Sequence, residues 1–244
     1  MADLDWLSAR PLAHRGLHDE QNGIIENTQS AFAAAVAARY GIECDLQISG
    51  DGEAMVYHDD VLGRLSDGKG RLDAMTAAEL KRVAFKATAD RMMTLGDLCD
   101  FVAGRATLLL ELKSPRGDDR RLAARAAKVL SGYGGQAAAM SFNPAQIADL
   151  RAIAPRLTRG IAVRTPAGAK VMASPRRALA GLLQAPRARP QFLAYSIANL
   201  SALVPTLARN LFGLPVLAWT VRSTDDQRKA ARYADQMIFE GFRP

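Results

Sequence analysis

Cysteine is scarce in this chain: Cys44 and Cys99 are the two among 244 residues. Neither belongs to a CxxC pair and each lies in an apolar stretch. That argues against a disulfide framework or a thiolate-held metal, and two buried free thiols are expected. Histidine is nearly as sparse, with three residues in all. There is no zinc-finger spacing and no aromatic RNA-binding signature, so no nucleic-acid partner is expected. Long apolar runs are lacking too. The most apolar region, 192–221, is cut by Pro205, Arg209, Asn210 and Pro215, so no stable membrane insertion is expected. The opening Met1-Ala2-Asp3-Leu4-Asp5-Trp6 carries acid where a secretory leader carries base, and a soluble, cytoplasmic protein is expected. Repeats, low-complexity tracts and linkers are absent. No glycine fingerprint follows the first apolar strand, which argues against an open, dinucleotide-binding sheet.

What is present is an ordinary globular composition, 49% hydrophobic and 23% charged, with a net charge of +7 and a pI near 9.7. Such an excess favours anionic partners, although solvated arginine-rich helices would produce the same total. Short apolar strands alternate with amphipathic helices almost from end to end. Strands are expected over 11–14, 41–46, 107–112, 137–141, 158–163, 192–195, 215–220 and 236–239. Helices are expected over 28–39, 118–130, 144–153, 174–184, 200–210 and 224–233. Eight strands alternating with helices in about 250 residues predict an α/β fold, a (β/α)8 TIM barrel forming one domain over 1–244. One stretch, about 47–104, is too long for a plain connection and reads as a small insertion after the second strand. It holds a turn at Ser49-Gly50-Asp51-Gly52, a short strand ending at Tyr57, and helical segments near 77–83 and 95–101.

The chemistry gathers at strand ends. Residues two apart on a strand share a face. Glu43 and Asp45 therefore point one way and Cys44 the other, under a helix, while Glu111 and Lys113 repeat the spacing on the third strand. Charges on the inner face of a barrel strand require partners or a bound cation. His14-Arg15 ends the first strand and His58-Asp59 follows the short strand of the insertion, so all of them converge on one side of the barrel mouth. Three carboxylates without clustered sulfur or imidazole favour an oxygen-liking divalent cation, Mg²⁺ or Ca²⁺. A buried ion-pair network with Arg15 and Lys113 is the plainer alternative. Arg15 and Lys113 suit a phosphate, and two histidines across it can serve as base and acid. Together these groups describe phosphodiester cleavage.

In order and spacing, several segments closely resemble the glycerophosphodiester phosphodiesterase family. They are His14-Arg15-Gly16, Glu26-Asn27-Thr28, Ile42-Glu43-Cys44-Asp45, Val56-Tyr57-His58-Asp59, Leu62-Gly63-Arg64, Leu110-Glu111-Leu112-Lys113 and Trp219-Thr220-Val221. The resemblance implies a barrel, one divalent cation, and hydrolysis of small-molecule glycerophosphodiesters to sn-glycerol 3-phosphate and an alcohol. It assigns the metal to Glu43, Asp45 and Glu111, acid–base catalysis to His14 and His58, and phosphate contacts to Arg15 and Lys113. The substrate's 2-hydroxyl would attack phosphorus to form a cyclic phosphate that water then opens. Trp219 could line the apolar side of the substrate or simply pack, and Phe142 carries the same ambiguity. Glu26 reads as ordering the loop or Arg15. Asp59 either orients His58 or closes a turn. His18 reads as surface or rim. Two departures stand out: Ile25 replaces the proline usual before Glu-Asn-Thr, and Glu240 stands where the last strand commonly carries aspartate. The sequence stops soon after that strand, so Leu4 to Leu7 is the expected plug of the barrel floor. Two rival readings share this framework: a lyase releasing cyclic phosphate from lysophospholipids, and a non-catalytic phosphate- or lipid-binding barrel.

Overall fold

The structure is a computed structural model that describes residues 4–113, 119–164 and 187–244. Eight parallel strands close into a barrel in the order β1 (Leu12–His14), β10 (Gln236–Phe239), β9 (Val216–Val221), β8 (Phe192–Ser196), β7 (Thr158–Val163), β6 (Ala137–Ser141), β5 (Leu108–Leu112) and β2 (Gly41–Ile48). Pairing of β1 with β2, Leu12 opposite Gly41 and His14 opposite Glu43, shuts the ring. Strands buried on both faces need no polar alternation, and β5 is buried throughout. The expected helix over 174–184, and the start of the one over 118–130, lie outside the described residues. Among the described residues no helix is long and apolar enough to cross a membrane.

Alternation along the strands divides the core in two. Leu12, Leu109, Ala138, Met140, Phe192, Leu217 and Ile238 fill the barrel. Their neighbours Ile42, Cys44, Leu108, Leu110 and Phe239 face outward under the helices. Each fully buried large side chain contributes about 1.5–3 kcal/mol. Leu7, 1% exposed on the short helix α1 (Asp5–Ser8), packs into the inner cluster, and Gln236 Nε2 donates to Ser8 O at 2.6 Å. The N-terminal segment thus covers the floor. Gly160 makes room for Phe192, because a Cβ there would lie 2.3 Å from the Phe192 ring. Cys44 and Cys99 are both buried and unpaired.

Two features of the stretch after β2 shape the site. First, β2 is two residues longer than expected and overhangs the rim. Past the end of β1, its free edge is taken by the antiparallel β3 (Ala54–Val56), with Leu46 opposite Val56. The chain therefore turns back toward the mouth, and Tyr57 N donates to Asp45 O at 3.0 Å. His58 is delivered by that return. Second, after the one-turn helix α3 (Ala77–Leu80), helix α4 (Leu95–Val102), which follows β4 (Met93–Thr94), packs between α2 (Gln29–Ala37) and α5 (Arg121–Leu130). It occupies a place in the outer helix ring and leads into β5, so the tail of the expected insertion belongs to the barrel itself. A separate small core of Ile25, Met55, Tyr57, Leu62, Leu72, Leu80, Phe85 and Met92 holds the remainder.

Candidate active site

The His14-Arg15-Gly16 turn starts the site. Arg15 and Gly16 both have left-handed backbones, φ 59° and 81°. Gly16 is required twice over, since a Cβ would also meet Ala31 Cβ at 2.8 Å. The turn aims the Arg15 backbone N–H at Glu43 Oε2, 3.0 Å away, and packs the chain on the start of α2. Thr28 caps that helix, its Oγ accepting from Ala31 N at 3.5 Å.

Glu43 and Asp45 are fully buried and Glu111 is 6% exposed. One oxygen from each lies within 4.8 Å of the others. Lys113 Nζ stands 2.8 Å from Asp45 Oδ1 and 2.7 Å from Glu111 Oε1. Arg15 Nε lies 3.3 Å from Asp45 Oδ2, and Arg15 Nη1 donates to Glu26 at 2.9 Å. Asn27 braces Asp45 from both sides: its Nδ2 donates to Asp45 Oδ2 at 2.9 Å, and its Oδ1 accepts from Asp45 N at 3.2 Å. Lys113 is fixed through its backbone, which bonds Leu46 O at 3.0 Å and Gln146 Nε2 at 3.1 Å.

Three buried carboxylates thus face two cations, and their proton affinities diverge. Burial pushes Glu43 well above the ordinary carboxylate range, with Asp45 and Glu111 adding to it. Burial raises Glu111 as well, against Lys113. For Asp45 burial acts the same way but is outweighed by Lys113 and Arg15, which hold it well below its ordinary value. Glu43 Oε1 is buried with no hydrogen-bond partner among the described residues, and the partner of Asp45 Oδ1 is the Lys113 ammonium at 2.8 Å. A buried acceptor left without a partner is costly. An unpartnered Glu43 oxygen beside two further carboxylates, one oxygen of each within 4.8 Å of the others, fits a divalent cation better than a self-sufficient ion-pair network.

The two histidines stand on either side of the cluster, each held in the same manner. His14, 9% exposed, bonds through Nδ1 to Glu240 on a very short contact, and its Nε2 lies 3.9 Å from Glu43 Oε2. Glu240 is in turn held by Arg222 at 2.6 Å. His58, 32% exposed at its side chain, bonds through Nδ1 to Asp59 Oδ1 at 2.7 Å, and Arg64 holds Asp59 at 2.6 Å. Each imidazole thus has Nδ1 engaged by a carboxylate that an arginine clamps, which leaves Nε2 for other work. Burial raises both carboxylates but is outweighed. His14 and His18 bring Glu240 far down, and Arg64 and His58 lower Asp59. Gln47 Nε2 holds the His58 carbonyl at 2.8 Å.

The structure brings His14, Arg15, Glu43, Asp45, His58, Glu111, Lys113 and Trp219 together at the mouth. Asp59 contacts His58 directly. Glu26 pairs with both Arg15 and Arg64, at 2.9 and 2.6 Å, consistent with an ordering role. His18 is at the rim and not on the open surface: its side chain is 17% exposed and its Nε2 stands 3.9 Å from Glu240. Trp219 faces a small inner cavity shared with His14, Glu43, Glu111 and Phe142, and its buried Nε1 has no partner among the described residues. Asn27 was legible as part of a motif, but its brace on Asp45 was not. The cluster opens into a cleft of about 1050 Å³ that His58, Lys113, Phe142 and Arg164 help to line.

The closed barrel carries its carboxylates, cations and two oriented imidazoles at the C-terminal ends of its strands, where barrels of this class build their active sites. The chain belongs to the glycerophosphoryl diester phosphodiesterase family, which it matches over residues 14–240. It is 29% identical over 160 residues to a glycerophosphodiester phosphodiesterase of Caldanaerobacter subterraneus subsp. tengcongensis, covering 62% of this chain and 65% of that protein. It is 41% identical over 71 residues to one of Bacillus altitudinis, covering 29% of this chain and 28% of the relative. The match thus spans just under two thirds of the first relative and about a quarter of the second. In fold it is similar to an Oleispira antarctica phosphodiesterase solved with the product sn-glycerol-3-phosphate. The TM-score is 0.78 at 23% identity, over 96% of this chain and 94% of that one. A glycerophosphodiester phosphodiesterase from Thermotoga maritima gives a TM-score of 0.72 at 22% identity, over 93% and 92%.

Proposed function

We propose that this protein hydrolyses glycerophosphodiesters to sn-glycerol 3-phosphate and an alcohol, with one divalent cation, Mg²⁺ or Ca²⁺, held by Glu43, Asp45 and Glu111. Family membership over residues 14–240 supports the reaction class. The observation that carries the reading is the pairing of a buried three-carboxylate cluster, with a Glu43 oxygen left unpartnered, with two imidazoles, each tied at Nδ1 to its own carboxylate. A bare binding site needs no second oriented base.

When bound, the cation would neutralise charge on the phosphoryl oxygens and acidify the substrate's 2-hydroxyl. The chain's own residues do the rest. Arg15 and Lys113 stabilise the negative charge that grows on the phosphoryl group in the transition state. One histidine takes the 2-hydroxyl proton as that oxygen attacks phosphorus. The other protonates the departing alcohol, leaving a cyclic phosphate. Water then opens the ring with the two proton roles exchanged. Glu240 and Asp59 act as positioning residues, fixing each imidazole and stabilising its protonated form. Trp219 covers the apolar side of the glycerol and offers its free indole N–H.

Phosphorus NMR on glycerophosphoethanolamine and glycerophosphocholine, with Mg²⁺, Ca²⁺ or chelator, tests this directly. Cation-dependent appearance of glycerol 3-phosphate is the expected outcome. A cyclic phosphate that persists as final product would mean a lyase. No turnover of any diester, with phosphate binding retained, would mean a binding barrel.

A further inference from the structure

Cleavage accounts for the side of the mouth built by β1, β2 and β5 and for Trp219, but not for Phe142 and Arg164 on the rim opposite. There Phe142 follows β6, Arg164 follows β7 and Trp219 sits on β9. The rings of Phe142 and Trp219 meet edge to face, their centroids 5.3 Å apart at 78°. The guanidinium carbon of Arg164 lies 5.5 Å from both centroids. Phe142 is 38% exposed, and both it and Arg164 line the cleft that holds His58 and Lys113. A guanidinium pinned against two aromatic faces loses much of its freedom in advance, while its N–H edges stay available. Arg15, Arg64 and Arg222 each have a carboxylate partner. No carboxylate of the described residues forms an ion pair with Arg164.

This wall has a definite chemical preference. Aromatic faces that would receive a quaternary ammonium are already taken by a cation, so such a group meets repulsion instead of a cage. A carboxylate meets a flat, pre-oriented fork of donors. We infer that Arg164, held over Phe142 and Trp219, is a recognition site for a substrate arm that carries a carboxylate, and that it selects such diesters over those ending in a quaternary ammonium. The inference deepens, and rests on, the phosphodiesterase reading above.

Glycerophosphoserine and glycerophosphoethanolamine form the matched pair, since they differ by one carboxylate. Wild-type protein should favour the serine diester in kcat/KM by about tenfold or more, the value of one charge-assisted hydrogen bond, with glycerophosphocholine the poorest of the three. Arg164→Ala should reduce the serine-to-ethanolamine ratio to within about threefold, and Arg164→Glu should turn the preference toward choline. An equal slowing of all three diesters by Arg164→Ala, with the ratio intact, would make the residue merely structural and overturn the inference, as would a wild-type ratio near one. Calorimetric binding of O-phosphoserine against phosphoethanolamine supplies a readout independent of turnover. Phosphoserine should bind wild type about tenfold more tightly, with the difference lost in Arg164→Ala. If wild type cleaves none of the diesters, the phosphodiesterase reading fails, and this binding pair still decides the Arg164 site. Equal binding of the two by wild type would contradict it.

Discussion

The two sides of the barrel mouth are built on opposite plans. On the side of β1, β2 and β5 the three carboxylates are buried and flanked by cations: Asp45 alone meets Lys113, Arg15 and Asn27 within 3.3 Å. On the side of β6, β7 and β9, Phe142, Arg164 and Trp219 make one stack with an exposed edge. Buried charge demands partners, so a dense side can hold a cation and a transition state rigidly. A sparse, half-exposed rim can change one residue without unfolding its neighbours. The first plan suits the reaction and the second suits the choice of substrate.

Substitutions should separate the two sides sharply. The largest effects belong to the dense side. His14→Ala and His58→Ala should each lower kcat by about 10²–10⁴, the range for losing general acid or base, as measured by release of glycerol 3-phosphate. Phe142→Ala, on the other rim, should act mainly through KM. A Phe142→Ala loss in kcat equal to that of the histidines would break the division. Next in size come the positioning carboxylates. Glu240→Gln and Asp59→Asn each remove one charged partner of an imidazole. Each should reduce kcat by about ten- to a hundredfold, matching about 1.5–3 kcal/mol for a charge-assisted hydrogen bond. Comparable losses would confirm that the two histidines are held alike.

Acid dependence gives a subtler signature. Glu43 and Glu111 have raised proton affinity in the fold, so in the cation-free protein these two sites hold their protons to higher pH folded than unfolded. Below about pH 4, where the unfolded carboxylates are also protonated, this carries no penalty. As pH climbs through the unfolded value toward the raised folded ones, the stability these two sites contribute to the cation-free protein is lost. A divalent cation needs the ionised carboxylates and competes with those protons. The rise in Tm produced by saturating Mg²⁺ or Ca²⁺ should therefore grow between about pH 5 and 8. Differential scanning fluorimetry checks the sign, and a shift that shrinks over that range would remove the cluster from cation binding. The smallest effect comes from the far face of the same strand. Cys44→Ala should cost about 1 kcal/mol of stability by urea unfolding, with kcat unchanged.

Legibility in the sequence follows the same division. The dense side announces itself because period-two spacing at strand ends puts charges where apolar residues belong, as in Glu43-Cys44-Asp45 and Glu111-Leu112-Lys113. All eight strands were expected within two residues of their observed ends. What escaped depends on pairing over distance. The overhang of β2, which returns His58 to the cluster, is set by β3 taking an edge that β1 leaves free. The brace of Asn27 on Asp45 spans 18 residues, and the contact of His14 with Glu240 spans 226. Helix α4 read as insertion because loop length hides which helix completes the outer ring. Arg164 carried no signal at all, since one arginine among the 32 lysines and arginines stands out only once its aromatic neighbours are in place.

The measurement closest to the central claim is the rate of glycerol 3-phosphate release from glycerophosphoethanolamine by protein stripped of divalent cations and then titrated with Mg²⁺ or Ca²⁺. The account predicts no turnover above the uncatalysed background in chelator, full recovery on a one-site titration, and no recovery in Glu111→Gln. Undiminished turnover in chelator, or full recovery in Glu111→Gln, would contradict it.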